Sequence, residues 1–212
     1  MIRKLKNIDT VIHTYYGITI GVGEFYVIEQ TDTLVLAEDE QLQTNIDENK
    51  IEVYIDTTKV LNTQDAIDVI KYGEIHTTTI GGIARSFIFD KTRNKWFSTE
   101  TVVLSGSRNT VNVEGYLRTF DGLVMNDDLG YVAPWNGTII AMSLSRTDTD
   151  SVTGQVYING SSSSAAITTS SENSYVTNIN QNFNAGDKLT FNITSGSADR
   201  PIIMAFIKWR KV

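Results

Sequence analysis

The stretch "GYVAPWNGTIIAMSLSRTDTD", residues 130–150, combines a turn, an apolar run and a polar loop. Pro134 and the Asn136-Gly137 pair are turn-forming residues, and the run 138–145 that follows them predicts a β-strand. The final "RTDTD" is short, polar and charged, which is typical of an exposed loop beyond a strand. The stretch therefore predicts one strand of a β-sheet, with a turn before it and a solvated loop after it.

The same pattern of short strands and turns continues to the C-terminus. Asn-Gly, Ser-rich, Ala-Gly-Asp and Ser-Gly-Ser turns separate most of the candidate strands. These strands are 111–119, 138–145, 152–159, 164–169, 174–180, 187–193 and 201–209. Short strands at this regular spacing predict a two-sheet sandwich. The last, "PIIMAFIKW", is almost continuously apolar, which predicts a strand covered on both faces or at a subunit interface, with Trp209 in the core or that interface.

The N-terminal part predicts a different organisation. Residues 8–54 are interpreted as short strands broken by glycine and acidic turns, and Ile51, Val53 and Ile55 share one strand face. In "LNTQDAIDVIKYG", residues 61–73, the period changes to that of a helix.

The helix prediction within residues 61–73 rests on its apolar face and its ends. Ala66, Ile67 and Ile70 lie on one helical face. Asn62 or Thr63 is a suitable N-cap, Asp65 suits the first turn, and Gly73 suits the C-terminal end.

Together these patterns predict a mostly β protein, with a small N-terminal α+β module followed by a C-terminal jelly-roll β-sandwich. The N-terminal module is expected over residues 1–80 and the sandwich over 111–212. Residues 81–110 are expected to form a connector with some β structure, around Phe87 to Phe89 and Val102 to Leu104.

Composition excludes several classes of function. The 212-residue chain has no cysteine, so disulfides and thiolate chemistry are excluded, and it carries a net charge of −7. Residues 1–80 hold 6 Lys/Arg and 14 Asp/Glu, whereas the rest is nearly balanced. Such a chain, without a basic cluster, is not expected to bind nucleic acid. No apolar run has the length of a signal peptide or a membrane span, so membrane insertion is not expected.

Catalytic signatures are missing from the sequence, so the protein is predicted not to be an enzyme and to need no cofactor or metal. His13 and His76 lie apart and outside metal-binding motifs, and no nucleophile elbow, phosphate loop or dinucleotide fingerprint is present. The carboxylate pairs Asp127-Asp128 and Asp148/Asp150 stand beside turn residues, which favours solvated turns over a pair of catalytic acids.

The loop 146–151 leaves two further hypotheses open. Carboxylates and hydroxyls of "RTDTDS" are oxygen ligands of the kind calcium prefers, although the EF-hand spacing is absent. The loop is also a candidate surface for contact with a host-surface glycan, together with aromatic residues before the strand. The residues of this candidate binding surface are Tyr131, Trp135, Arg146, Asp148 and Asp150.

Taken together, these segments carry a resemblance to a known family. "GYVAPWNGTII", "SRTDTD", "VYING", "FNAGDKL" and the final strand ending in Trp resemble the jelly-roll modules of tailed-bacteriophage virion proteins, which are similar to trimeric tumour-necrosis-factor-like and complement-like heads. Upstream, "GITIGVGEFYVIEQTD" and "NTQDAIDVIKY" are similar to the glycine-rich strand and the short helix of the small α+β module that often precedes such heads, and "KWFSTETVVL" is similar to the entry into the second module.

This resemblance implies a non-enzymatic virion structural protein. It implies a homotrimeric capsid decoration, head fibre or tail-associated fibre, made in the host bacterial cytoplasm and assembled into the virion. The acidic N-terminal module would dock to other capsid or tail proteins, and the sandwich would face outward. The alternative is a receptor- or glycan-binding module of a tail fibre.

Overall fold

The chain folds into two units, Met1–Phe97 and Ser98–Val212, each with its own hydrophobic core. The structure is a computed structural model that describes residues 2–80, 82–112 and 114–211. Antiparallel sheets dominate both units, so the fold is mostly β as predicted.

The first unit is an α+β module whose strands form small sheets beside three short helices. One sheet has the order β4-β1-β5-β6, another has the order β7-β8-β9, and β2 pairs with β3 in a hairpin. The elements are β1 (Arg3–Asn7), β2 (His13–Tyr15), β3 (Ile18–Ile20), β4 (Phe25–Val27), α1 (Thr33–Ala37), α2 (Glu40–Asp47), β5 (Ile51–Ile55), β6 (Thr58–Lys59), α3 (Thr63–Tyr72), β7 (Ile75–Ile80), β8 (Ile83–Asp90) and β9 (Lys95–Ser98).

The predicted helix is confirmed as α3, including both of its ends. The Asn62 side chain accepts a hydrogen bond from the Asp65 backbone N–H, and Gly73 ends the helix with a φ of 76°. The buried face differs slightly from the prediction, because Val69 lies in the core whereas Ile67 is only partly buried. The predicted alternation in β5 is confirmed, since Ile51, Val53 and Ile55 all point into the first core.

Within residues 8–54 the prediction of strands and turns alone is wrong, because α1 and α2 lie there. The Asp39 side chain caps α2 by accepting from the Leu42 backbone N–H at 2.8 Å. Leu42 and Ile46 are one helical turn apart and both are buried. The acidic residues around Asp39 therefore begin a helix rather than forming a turn.

The boundary between the units falls at Phe97/Ser98, inside the stretch 81–110 for which the sequence predicts a connector. Phe87, Phe89 and Trp96 belong to the first core, whereas Val102 and Leu104 pack against the second. The apolar residues of this stretch are thus divided between two cores. Gly81, the first residue of the predicted connector, lies outside the described residues.

The second unit is a β-sandwich. Its elements are β10 (Val102–Ser107), β11 (Val111–Asn112), β12 (Gly115–Tyr116), β13 (Tyr131–Val132), β14 (Gly137–Ser145), β15 (Val152–Ile158), β16 (Ser161–Thr169), β17 (Asn173–Val176), β18 (Gln181–Phe183), β19 (Lys188–Gly196), β20 (Ala198–Asp199) and β21 (Ile202–Trp209). The first sheet has the order β10-β21-β14-β17, with β18 also paired to β14. The second sheet has the order β12-β19-β15-β16, with β13 also paired to β19.

The two sheets enclose one core in the manner of a jelly roll. Met142 and Ile203 from the first sheet and Val156 and Phe191 from the second belong to the same buried cluster. The chain passes from the second sheet (β12, β13) to the first (β14) and back to the second (β15, β16). It then returns to the first sheet (β17, β18), crosses to the second (β19) and ends in the first (β21). Two antiparallel sheets between which the chain alternates are the architecture of a double-sheet jelly roll.

The predicted strand 111–119 is replaced by two short strands, and its residue 113 lies outside the described residues. After Tyr116, the Leu117 backbone N–H still donates to Phe191 of the second sheet. The next residue, Arg118, exchanges backbone hydrogen bonds with Ser107 of the first sheet. The chain changes sheets at this point, and so no single long strand forms.

Candidate functional site

The five residues of the candidate binding surface lie at two ends of the sandwich. Trp135 stands just before β14, and Arg146 stands just after it. At about 3.3 Å per residue, this strand separates its two ends by roughly 30 Å. Trp135 and the loop 146–151 therefore do not line one surface, because an extended strand cannot bring its own ends together.

At the first end, Tyr131 and Trp135 serve in packing. The Trp135 ring meets the Trp209 ring edge-on at 5.4 Å between centroids, and Trp209 is buried as predicted. Tyr131 packs edge-on against Phe191, and its hydroxyl donates to the Ser105 carbonyl at 2.9 Å. Burial raises the pKa of Tyr131.

At the other end, Arg146 is a buried brace rather than a surface contact. Its guanidinium is fully buried and forms an ion pair with Asp148 at 2.9 Å. The second oxygen of Asp148 accepts from the Asp199 backbone N–H at 2.8 Å. The guanidinium also donates, at 3.3–3.4 Å, to the carbonyl oxygens of Thr169, Ser171 and Ser197.

This arrangement bears directly on the calcium hypothesis for the loop 146–151. Both carboxylate oxygens of Asp148 already contact donors, one from Arg146 and one from the backbone. Asp150 is exposed. Among the described residues, no group of three or more His, Asp or Glu side chains is placed to hold a metal ion. A cation at Asp148 would have to compete with the Arg146 guanidinium.

The two histidines lie in the first unit and make ordinary packing contacts. His13 stacks with Tyr15 and forms a 3.0 Å contact with Asp9. His76 lies against the ring of Tyr72, at 3.8 Å between centroids.

The sequence analysis missed a cleft on the outer face of the second sheet, which we call the tyrosine cleft. It has a volume of about 380 Å³ and is lined by Glu114, Gly115, Tyr116, Tyr157, Asn192 and Thr194. The rings of Tyr116 and Tyr157 meet edge-on at 6.2 Å. The Tyr116 hydroxyl donates to Asp127, and this bond is the main reason that the pKa of Tyr116 is raised to about 12. No sequence signal joins these residues, because they come from three strands.

The outer face of the first sheet carries a second feature, which we call the apolar face. Strand register places its members on one side of the sheet, since Phe206 lies opposite Val103, and Met204 and Tyr175 both lie opposite Ser143. Its residues are Val103, Tyr175, Ile202, Met204 and Phe206. Four of them are exposed, with Tyr175 at 76%. The continuous apolar character of "PIIMAFIKW" is the sequence signal for this face.

Comparisons with known proteins identify no family. No protein-family model and no curated protein matches the chain. Among solved structures, it is similar to the CBM36-1 domain of a multidomain xylanase from the hindgut metagenome of Trinervitermes trinervoides, with 11% identity and a TM-score of 0.30. That match covers 53% of this chain and 98% of the other. The likeness is too distant to bear on function.

Among the described residues, no helix has the length and apolar character needed to cross a membrane.

Proposed function

We propose that this chain is a non-enzymatic structural protein of a tailed-bacteriophage virion. In this proposal it forms a homotrimeric capsid decoration, head fibre or tail-associated fibre. Residues 1–80 dock to other virion proteins, and the C-terminal sandwich is exposed. The observation that carries the proposal is the apolar face of the first sheet.

The apolar face supports self-association because it would otherwise leave large side chains in water. Monomeric proteins seldom expose large contiguous apolar patches, and large patches commonly mark interfaces. The residues between the large ones are small, as at Ser105, Ala141 and Ser143, so a second copy can approach the sheet closely. The same strand register that exposes Met204 and Phe206 buries Ile203 and Ala205 in the core. The face is therefore independent of the fold's own core.

The first unit offers an exposed apolar region suited to docking. Val11, Ile12, Tyr16 and Val22 lie on or beside the β2–β3 hairpin, and each is more than half exposed. Around them, residues 1–80 carry more than twice as many acidic as basic side chains. A surface of this composition suits a partner that combines an apolar depression with basic residues.

The receptor- or glycan-binding alternative, placed on Tyr131, Trp135 and the loop 146–151, has less support. Tyr131 and Trp135 pack within the sandwich, and Arg146 is buried. Arg146 therefore cannot reach a ligand without breaking its own contacts, and the ring packing leaves only part of Tyr131 and Trp135 exposed.

The test of the proposal is the mass of the protein in solution, measured by light scattering. The wild-type chain of 23.6 kDa is expected to elute as a trimer. Met204→Lys places a charge in the apolar face and is expected to yield a folded monomer. Thr168→Lys, at an exposed position of the second sheet, is the matched control and should remain trimeric.

A wild-type protein that is monomeric at tens of micromolar, or a Met204→Lys variant that remains trimeric, would contradict the assembly. Location on the virion is tested separately by reconstruction of purified particles. Absence of this chain from them would contradict the virion assignment.

A further inference from the structure

Two arginines line a small cleft at the point where the chain changes sheets, which we call the arginine cleft. Arg108 directly follows β10, and Arg118 exchanges backbone hydrogen bonds of 2.8 and 3.0 Å with Ser107, the last residue of that strand. The described residues that line the cleft come from 107–109 and 118–120, together with Gly122. Two positive side chains that are ten residues apart in sequence are thus brought to one cleft.

The charge of Arg118 is held in place by the turn that follows it. One terminal nitrogen of its guanidinium donates to the Gly122 carbonyl at 2.7 Å. Two backbone hydrogen bonds of 2.9 Å between residues 119–123 close this turn, and the φ of 88° at Gly122 suits glycine. The bond to Gly122 uses one of the five N–H donors of the guanidinium, and the side chain is only partly buried. A guanidinium that is already oriented loses less rotamer freedom when it binds a ligand.

The cleft carries a positive charge in a chain whose net charge is −7. Arg108 and Arg118 line it, and none of the lining residues that the structure describes is acidic. The nearby carboxylate of Asp121 accepts a hydrogen bond from the Thr119 hydroxyl and offsets part of this charge. Two cations beside one carboxylate favour a ligand group with a single negative charge.

An aromatic ring stands exposed at the same cleft. Phe120 lines it and is 90% exposed, the highest value among the large apolar side chains that the structure describes. This ring can bury its apolar area only against another molecule, such as the aliphatic C–H groups of a ligand. Ser107 and Asn109 add a hydroxyl and an amide to the lining. The ligand that fits therefore combines an apolar face, polar hydroxyl groups and one anionic group.

The size of the cleft restricts the ligand further. Its volume is about 240 Å³, whereas sites for drug-sized molecules usually span ~300–1,000 Å³. A guanidinium pairs with a carboxylate through parallel N–H···O bonds, which adds geometric specificity to the attraction between charges. A single sugar ring that bears one carboxylate satisfies the size, the charge and the exposed aromatic ring together.

We propose that the arginine cleft binds a uronic acid unit of an acidic glycan. The sugar carboxylate pairs with Arg108 and Arg118, and the C–H face of the sugar packs against Phe120. Hydroxyl groups of the sugar bond Ser107 and Asn109. This inference goes beyond the virion role and does not depend on it, because the described lining residues all belong to the second unit of one chain.

The test titrates the full-length chain calorimetrically with oligomers of galacturonate, glucuronate and mannuronate, and with neutral oligosaccharides of the same length. At least one oligouronate is expected to bind, and more weakly as salt is added. Arg118→Gln removes the charge and Phe120→Ala removes the ring, and each should raise the Kd at least about tenfold. Arg118→Lys keeps the charge without the planar fork, and its Kd should lie between those of the wild type and Arg118→Gln.

Lys208→Gln is the matched control for the loss of one positive charge. Lys208 lies near the end of β21, whereas Ser107 pairs with Ile202 at the beginning of that strand. The control should bind within about twofold of wild type. Because Phe120 is almost fully exposed, Phe120→Ala is expected to fold even if Arg118→Gln does not.

Several outcomes would overturn the proposal. These are no oligouronate bound by the wild type, neutral oligosaccharides bound as tightly, wild-type affinity in Phe120→Ala with a native circular dichroism spectrum, and an equal loss in Lys208→Gln and Arg118→Gln. An oligoglutamate peptide that binds as tightly as the oligouronates would assign the cleft to an acidic peptide instead. Because oligomeric mass is measured separately, failure of the glycan site is distinguishable from failure of the trimer.

Discussion

Arg146 connects three separate segments of the sandwich through one side chain. Its guanidinium reaches carbonyl oxygens at the end of β16, just after β16 and just before β20, and it pairs with Asp148 in its own loop. Five donors in a planar fork suit this task better than the single ammonium of lysine would. The role is structural because no part of the guanidinium is exposed.

Replacing Arg146 should destabilise the second unit strongly. Arg146→Ala leaves Asp148 without its ion-pair partner and removes one hydrogen bond from each of three carbonyl oxygens. Because Asp148 is 26% exposed, water compensates part of the loss, and we expect a decrease of about 2–4 kcal/mol in the free energy of unfolding. Urea unfolding followed by fluorescence measures it. Asp150→Ala, in the same loop but exposed, should change stability by less than about 0.5 kcal/mol.

Equal stability of Arg146→Ala and Asp150→Ala would show that the guanidinium is not a brace. The loop 146–151 would then return as a candidate surface for ligands.

At the scale of the element, β10 lies close to the second sheet at Gly106. A Cβ atom at this position would stand 2.7 Å from the Cβ of Phe191 and 3.1 Å from the Cβ of Leu117. The position of a Cβ atom is set by the backbone, so a change of side-chain rotamer at Phe191 or Leu117 cannot relieve these contacts. Glycine at this position lets the first sheet pack directly over Phe191 in the core.

Gly106→Ala is therefore expected to destabilise the sandwich despite adding only one methyl group. Overpacking of a core costs about 1–3 kcal/mol, and thermal unfolding should show a midpoint several degrees lower. Ser105→Ala, the preceding residue of β10 on the outer face of the sheet, is the control and should unfold near the wild-type midpoint. A Gly106→Ala protein as stable as the control would indicate that the two sheets lie further apart here.

The helices show how far local sequence determines an element. The N-cap, helical face and C-terminal glycine of α3 are all local signals, and they predict its position well. In α1, the run Leu34–Leu36 suits a strand equally well, and it becomes helical because Leu36 is buried in the first core. Tertiary packing decided between two locally acceptable conformations.

At the scale of the whole molecule, the apolar face links assembly to stability. If the folded trimer is the stable form, unfolding includes dissociation, and the thermal midpoint must rise with protein concentration. We expect a higher midpoint at 100-fold higher protein concentration for the wild-type chain. Met204→Lys should show no such dependence, and Thr168→Lys should behave as wild type. A wild-type midpoint independent of concentration would contradict a trimer held by this face.

The sequence by itself determined the fold class, most strands of the sandwich, α3 and the apolar strand β21, because alternation, turn residues and helix caps act over a few neighbouring positions. Only the tertiary structure decided the sites. Strand β14 separates Trp135 from Arg146, which lie beyond its opposite ends. Arg146, a candidate surface residue in the sequence, is buried and stabilises the loop by pairing with Asp148. Tyr116, Tyr157 and Asn192 meet through the register of three strands, and register depends on packing between residues far apart in the chain.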